Sequence, residues 1–79
     1  MNNTATYNTV FFECLSLEKD YDLSVLEYNS ITEWDSVGHM TLIAGIEDAF
    51  DIVLEMDDII DFSSYMFGKT ILAKYDLAI

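Results

Sequence analysis

The chain reads as an all-α fold, a four-helix bundle with a long loop between helices one and two and a short third helix. Three observations predict it. Apolar residues recur at helical spacing: Tyr7, Val10, Phe11, Cys14 and Leu15 early in the chain, then Leu42, Ile43, Ile46 and Phe50 in its middle. No segment sustains the period-two alternation of a half-buried strand bounded by hairpin turns. Good N-caps stand at 35–36 and 63–64, ahead of apolar stretches, and there is no proline. The 79 residues have room for one domain, 1–79. A hydrophobic fraction of 52% with 14% aromatic residues calls for a folded core even at a formal net charge of -12.

The first helix is expected over residues 4–15, its stripe at i, i+3, i+4, i+7 and i+8. Residues 16–34 lose that periodicity and carry turn and cap chemistry at Asp20, Asp22, Asn29, Ser30 and Thr32, so they form a long loop with room for one helical turn. Some of Leu17, Tyr21, Leu23, Val25, Leu26, Tyr28 and Ile31 must hold it down. A second helix starts at Asp35 or Ser36, ends near Asp51, and turns His39, Leu42, Ile43, Ile46, Ala49 and Phe50 inward. Residues 57–61 open with two acids, as a helix start prefers, and make a marginal third helix. Ser63 or Ser64 caps the last, with Tyr65, Leu72 and Tyr75 on one side and Phe67 and Ile71 on an adjacent one. Gly68 inside it costs about 1 kcal/mol relative to Ala, which points to a kink or a close contact.

The charge narrows the function. Fifteen acidic residues face three lysines, Lys19, Lys69 and Lys74, and none of those lies between Asp20 and Gly68. Nucleic acid and anionic membrane are poor partners for such a chain, whereas basic protein surfaces are good ones. The stretch holding Glu47, Asp48, Asp51, Glu55, Asp57, Asp58 and Asp61 is either a docking surface or a solvated face that keeps the protein in solution. No apolar run is long enough to span a bilayer, and no basic segment precedes the early apolar stretch, so no stable membrane insertion and a cytoplasmic location are expected. The lone Cys14 offers neither an internal disulfide nor a metal knuckle.

The raw material for catalysis is thin. Ser36 and His39 stand three apart on a helix, but a nucleophile and its base also need an orienting third group and oxyanion donors. No enzyme is expected, and His39 reads as a partly buried helix residue. The acidic stretch fails as a calcium loop, because Ile52, Val53 and Leu54 fall where ligands or the turn glycine belong. What remains is Asp35-Ser36 at a loop-to-helix junction. A serine there is exposed and sits at the positive end of the helix dipole, where a phosphodiester is stabilised. The dipeptide alone also fits an ordinary N-cap.

The wider pattern resembles the acyl carrier protein family. Asp35-Ser36 is followed by apolar Val37, then by the run Leu42, Ile43, Ala44, Gly45, Ile46, Glu47, Asp48, Ala49, Phe50, by Asp51, Ile52 and Leu54, by Asp57, Asp58, Ile59 and Ile60, and by a closing amphipathic helix. The likeness covers about residues 31–75. It implies that Ser36 receives 4'-phosphopantetheine from coenzyme A, with Asp35 helping a separate phosphopantetheinyl transferase organise metal and phosphate. A monomeric stand-alone carrier would then hold an acyl or aminoacyl group as a thioester. It implies as further partners a loading ligase and an acyltransferase or condensing enzyme with a basic docking surface. Recognition would fall to Val37, Met40, Ala44, Glu47, Asp48 and Asp57, an apolar strip flanked by acids. An acidic interaction module without a covalent arm is the alternative.

Two positions depart from the family. Trp34 stands where many members have Gly, and Gly38 where an acid is common, which suggests a specialised carrier. Trp34 either anchors the loop or is an exposed contact, and Gly38 leaves room beside Ser36.

Overall fold

The computed structural model describes residues 2–79, and these contain four α-helices: α1 (Asn3–Cys14), α2 (Ser36–Phe50), α3 (Met56–Asp61) and α4 (Tyr65–Ala73). Helix α1 starts one residue earlier than its periodicity predicts, because Asn2 caps it, its side chain accepting from the Ala5 N–H at 2.7 Å. The long loop contains one 3₁₀ turn, Leu23–Val25, capped by Asp22. Leu23, Leu26 and Trp34 bury themselves to hold the loop, and Leu17, Tyr21 and Ile31 are half-buried. Val25 stays exposed and does not serve as an anchor, whereas Tyr28, also exposed, packs its ring edge-on against Trp34 and His39.

A contact invisible to local pattern ties this loop to the last helix. Glu27 and Ser64 form a single antiparallel bridge, in which the Tyr28 N–H donates to the Ser63 carbonyl and the Tyr65 N–H to that of Leu26. Helix α2 ends at Asp51 in the left-handed conformation (φ 55°), where the N–H groups of Asp51 and Ile52 both reach the Glu47 carbonyl.

The core is an aromatic cluster around Phe11. Its ring lies 4.9 Å from Tyr7, 5.3 Å from Tyr65 and 5.7 Å from Trp34, centroid to centroid. The expected inward stripe of α2 holds for Leu42, Ile43 and Ile46, but Ala49 is exposed, beside a shallow depression lined otherwise by α1 residues. Two expectations for α4 also change. Phe67 points outward while Ile71 is buried, and Tyr75 lies past the helix end. Gly68 marks a close contact: a Cβ there would lie 2.2 Å from the Tyr7 hydroxyl and 2.3 Å from the Phe62 ring.

Helix α3, six residues long, is held by its neighbours. The Asp58 side chain turns inward, so this acid leaves the surface stretch to which its sequence context assigns it. It accepts hydrogen bonds from Lys74 and from the Tyr75 hydroxyl, and the same hydroxyl accepts from the Glu55 N–H at 3.0 Å. No helix is long and apolar enough to cross a membrane among the described residues.

Candidate functional site

Ser36 is the first residue of α2 and is exposed. The cap itself is Asp35, whose Oδ1 accepts from the Gly38 N–H at 2.9 Å. That division of labour matters, because it leaves the Ser36 hydroxyl without a capping role. Its one side-chain neighbour within hydrogen-bond reach is the Tyr28 hydroxyl, 3.4 Å away. Gly38 does not open space beside Ser36. A Cβ there would fall 1.9 Å from the Glu33 carbonyl oxygen, so the missing side chain lets the loop backbone lie against the first turn of α2.

Beside Ser36 runs an apolar groove of about 410 Å³. Helix α2 contributes His39 and Met40 to it, α3 contributes Met56, Ile59 and Ile60, and Phe62 and Ser63 follow. Tyr28 reaches over from the loop. The volume falls in the range of roughly 300–1,000 Å³ that small-ligand pockets occupy. No carboxylate or ammonium lines the groove.

His39 is half-buried between loop and groove. Its Nδ1 lies 3.0 Å from Trp34 Nε1 and its Nε2 lies 2.7 Å from the Ile59 carbonyl oxygen. Since an indole N–H only donates, Nδ1 is the acceptor and Nε2 carries the proton toward Ile59. Both ring nitrogens are therefore engaged away from Ser36, and the Ser36–His39 spacing does not become a nucleophile–base pair. Trp34 is fully buried, with its ring 6.2 Å from His39 and 5.7 Å from Phe11, which makes it an anchor for the end of the loop.

The residues expected to recognise partners divide in two. Met40 (58% exposed) lines the groove, Val37 (75%) is exposed in the first turn of α2, and Ala44, Asp48 and Asp57 are also exposed. Glu47 is only half-buried and has an internal task, its Oε2 accepting from the Leu54 N–H at 2.9 Å across the turn that leads to α3. Sequence reasoning missed Met56 and Ile60, each 69% exposed, which carry the apolar surface across to α3. Their signal was present as a pair four apart on a helix too short to bury both. It missed the Tyr28 wall as well, for which no local signal exists. No family model, curated protein or solved structure matches the chain.

Proposed function

We propose that the chain is an acyl carrier protein that accepts 4'-phosphopantetheine on Ser36. The observation that carries this reading is an exposed serine hydroxyl at the head of α2, relieved of capping by Asp35 and standing at the mouth of an apolar groove. The element order fits the carrier bundle: a long anchored loop leads into α2, and α3 is short.

In this reading a phosphopantetheinyl transferase brings coenzyme A and Mg²⁺ to Ser36. The Ser36 oxygen bonds to the pantetheine-side phosphorus, the pyrophosphate P–O bond of coenzyme A breaks, adenosine 3',5'-bisphosphate leaves, and the hydroxyl proton passes to a base of the transferase. The positive end of the 15-residue helix α2 favours the phosphodiester that results. Asp35 caps the helix through one oxygen and would help the transferase hold its metal and the phosphate. The attached arm supplies a thiol that holds the cargo as a thioester. Cargo comes from a loading ligase and passes to an acyltransferase or condensing enzyme in the cytoplasm. Val37, Met40 and Ala44 with Asp48 and Asp57 meet the basic surfaces of these partners, while Glu47 serves mainly to hold the turn toward α3.

The groove favours an apolar acyl group over an aminoacyl one. Each methylene it shelters is worth about 0.8 kcal/mol. An ammonium entering it would lose hydration with no carboxylate there to pair with.

The test is incubation with a promiscuous phosphopantetheinyl transferase, coenzyme A and Mg²⁺, read by intact mass. One added arm that Ser36→Ala abolishes is the expected result. An unmodified chain, under conditions that load a known carrier, would leave the acidic interaction module as the better account.

A further inference from the structure

His39 does more in this fold than fill space. Of the polar residues lining the groove, Tyr28, Ser36 and Ser63 are exposed, and His39 alone is partly buried. Its Nε2–H meets the Ile59 carbonyl, one of the last four carbonyls of α3, which have no acceptor role inside so short a helix. Its Nδ1 meets the Trp34 indole, which ends the long loop. One side chain on α2 therefore holds both the loop and the C-terminal turn of α3. A helix of six residues has little stability of its own, so its distance from α2 depends on such ties. Behind the imidazole stand Trp34 and Phe62, with ring centroids 6.2 and 6.5 Å away and both side chains almost fully buried. Phe62 also lines the groove, so the imidazole and the Phe62 ring together form its wall toward the aromatic core.

We propose that His39 is the specificity-determining residue of the groove. Its hydrogen bond to Ile59 sets the separation of α2 and α3, its bond from Trp34 fixes the ring, and the ring forms the inner wall beside Phe62, so that together they limit the length of the acyl chain that the groove shelters. The inference rests on reading the groove as the seat of an apolar acyl group.

Three variants separate the two roles. In His39→Gln the amide can still donate to Ile59 and accept from Trp34. His39→Leu fills the space without either bond, and His39→Ala leaves both the bonds and the space empty. The first measurement uses the unmodified chain: amide hydrogen exchange along α3 and the Trp34 indole N–H resonance. Exchange in α3 should stay near the wild-type rate in His39→Gln and rise about tenfold in His39→Leu and His39→Ala, the factor expected for one lost hydrogen bond. Exchange in α1 should not change in any of them, which shows that the fold persists. The second measurement uses arm-bearing protein loaded with hexanoyl, octanoyl, decanoyl or dodecanoyl groups, and follows thioester hydrolysis. His39→Ala should move the best-protected length at least one step up this series, while His39→Gln keeps the wild-type preference. An unchanged preference in His39→Ala, or His39→Leu matching His39→Gln in α3 exchange, overturns the proposal. If Ser36 takes no arm, the carrier reading fails separately. Length selection is then read from binding of the free straight-chain fatty acids to the unmodified chain, with the same expected shift in His39→Ala.

Discussion

The Tyr75 hydroxyl donates to the Asp58 carboxylate at 2.5 Å, closing a three-way contact in which Lys74 holds the other carboxylate oxygen. Asp58 is the buried acid among the described residues, and these two partners account for both its oxygens. Because the contact joins α3 to the chain just after α4, it supports the same short helix that His39 holds from the other side.

The pH dependence follows from that contact. Hydrogen bonds from Lys74 and Tyr75 hold the Asp58 carboxyl below its ordinary range. A lowered folded pKa contributes stability that is present above the unfolded value, about 3.9, and that is lost as pH falls through the lower folded value. Urea unfolding at pH 7 should show Asp58→Asn less stable than the wild type. The gap should shrink as the pH is taken well below 4. A gap that stays constant down to pH 2 would mean that the carboxylate charge contributes nothing.

Gly68→Ala should destabilise the protein, although helix propensity alone would credit alanine with about 1 kcal/mol. The added methyl meets the Tyr7 hydroxyl and the Phe62 ring inside a packed core. Overpacking of this kind costs about 1–3 kcal/mol. Denaturant midpoints decide the sign, and a stabilised Gly68→Ala would show that the two rings can move aside.

Asp51→Gly should act in the other direction. Asp51 occupies the left-handed region at the C-terminal end of α2, where glycine carries no Cβ penalty and where a negative charge opposes the helix dipole. A gain of about 0.5–1 kcal/mol in unfolding free energy is expected.

Neighbouring acids on α2 should part company. Glu47→Ala removes the acceptor for the Leu54 N–H and should cost about 1–2 kcal/mol. Asp48→Ala, exposed and without an internal partner, should stay within about 0.5 kcal/mol of the wild type in stability. With the transferase, Asp48→Ala and Asp57→Ala should instead slow modification of Ser36, and added salt should narrow the difference from wild type. Rates that do not respond to salt would remove these two acids from the docking surface.

Much of the fold is legible in local sequence. The stripe from Tyr7 to Phe11, the core positions Leu42, Ile43 and Ile46, and a cap at Asp35 or Ser36, which the structure assigns to Asp35, all depend on residues within a few positions of one another. Trp34 was open between anchor and exposed contact, and only its burial against Phe11 decided the matter. Asp58 was misread because two acids at a helix start look alike until one finds a lysine and a tyrosine 16 and 17 positions away. For the candidate site, the sequence named Ser36 and Asp35, and the fold added the groove beside them.

By itself, then, the sequence determined an all-α chain, the placing of its helices to within a residue or two, and an exposed serine at the head of the second. Periodicity and capping act over one or two helical turns, and that range is written in consecutive residues. Tertiary structure alone decided which acid is buried, what His39 holds, what a side chain at position 68 would meet, and where the groove runs. Each of these depends on residues meeting across the chain, as Tyr7 does when its hydroxyl donates to the carbonyl of Tyr65, 58 positions away. Such meetings depend on how all the helices pack at once, which no single stretch of sequence specifies.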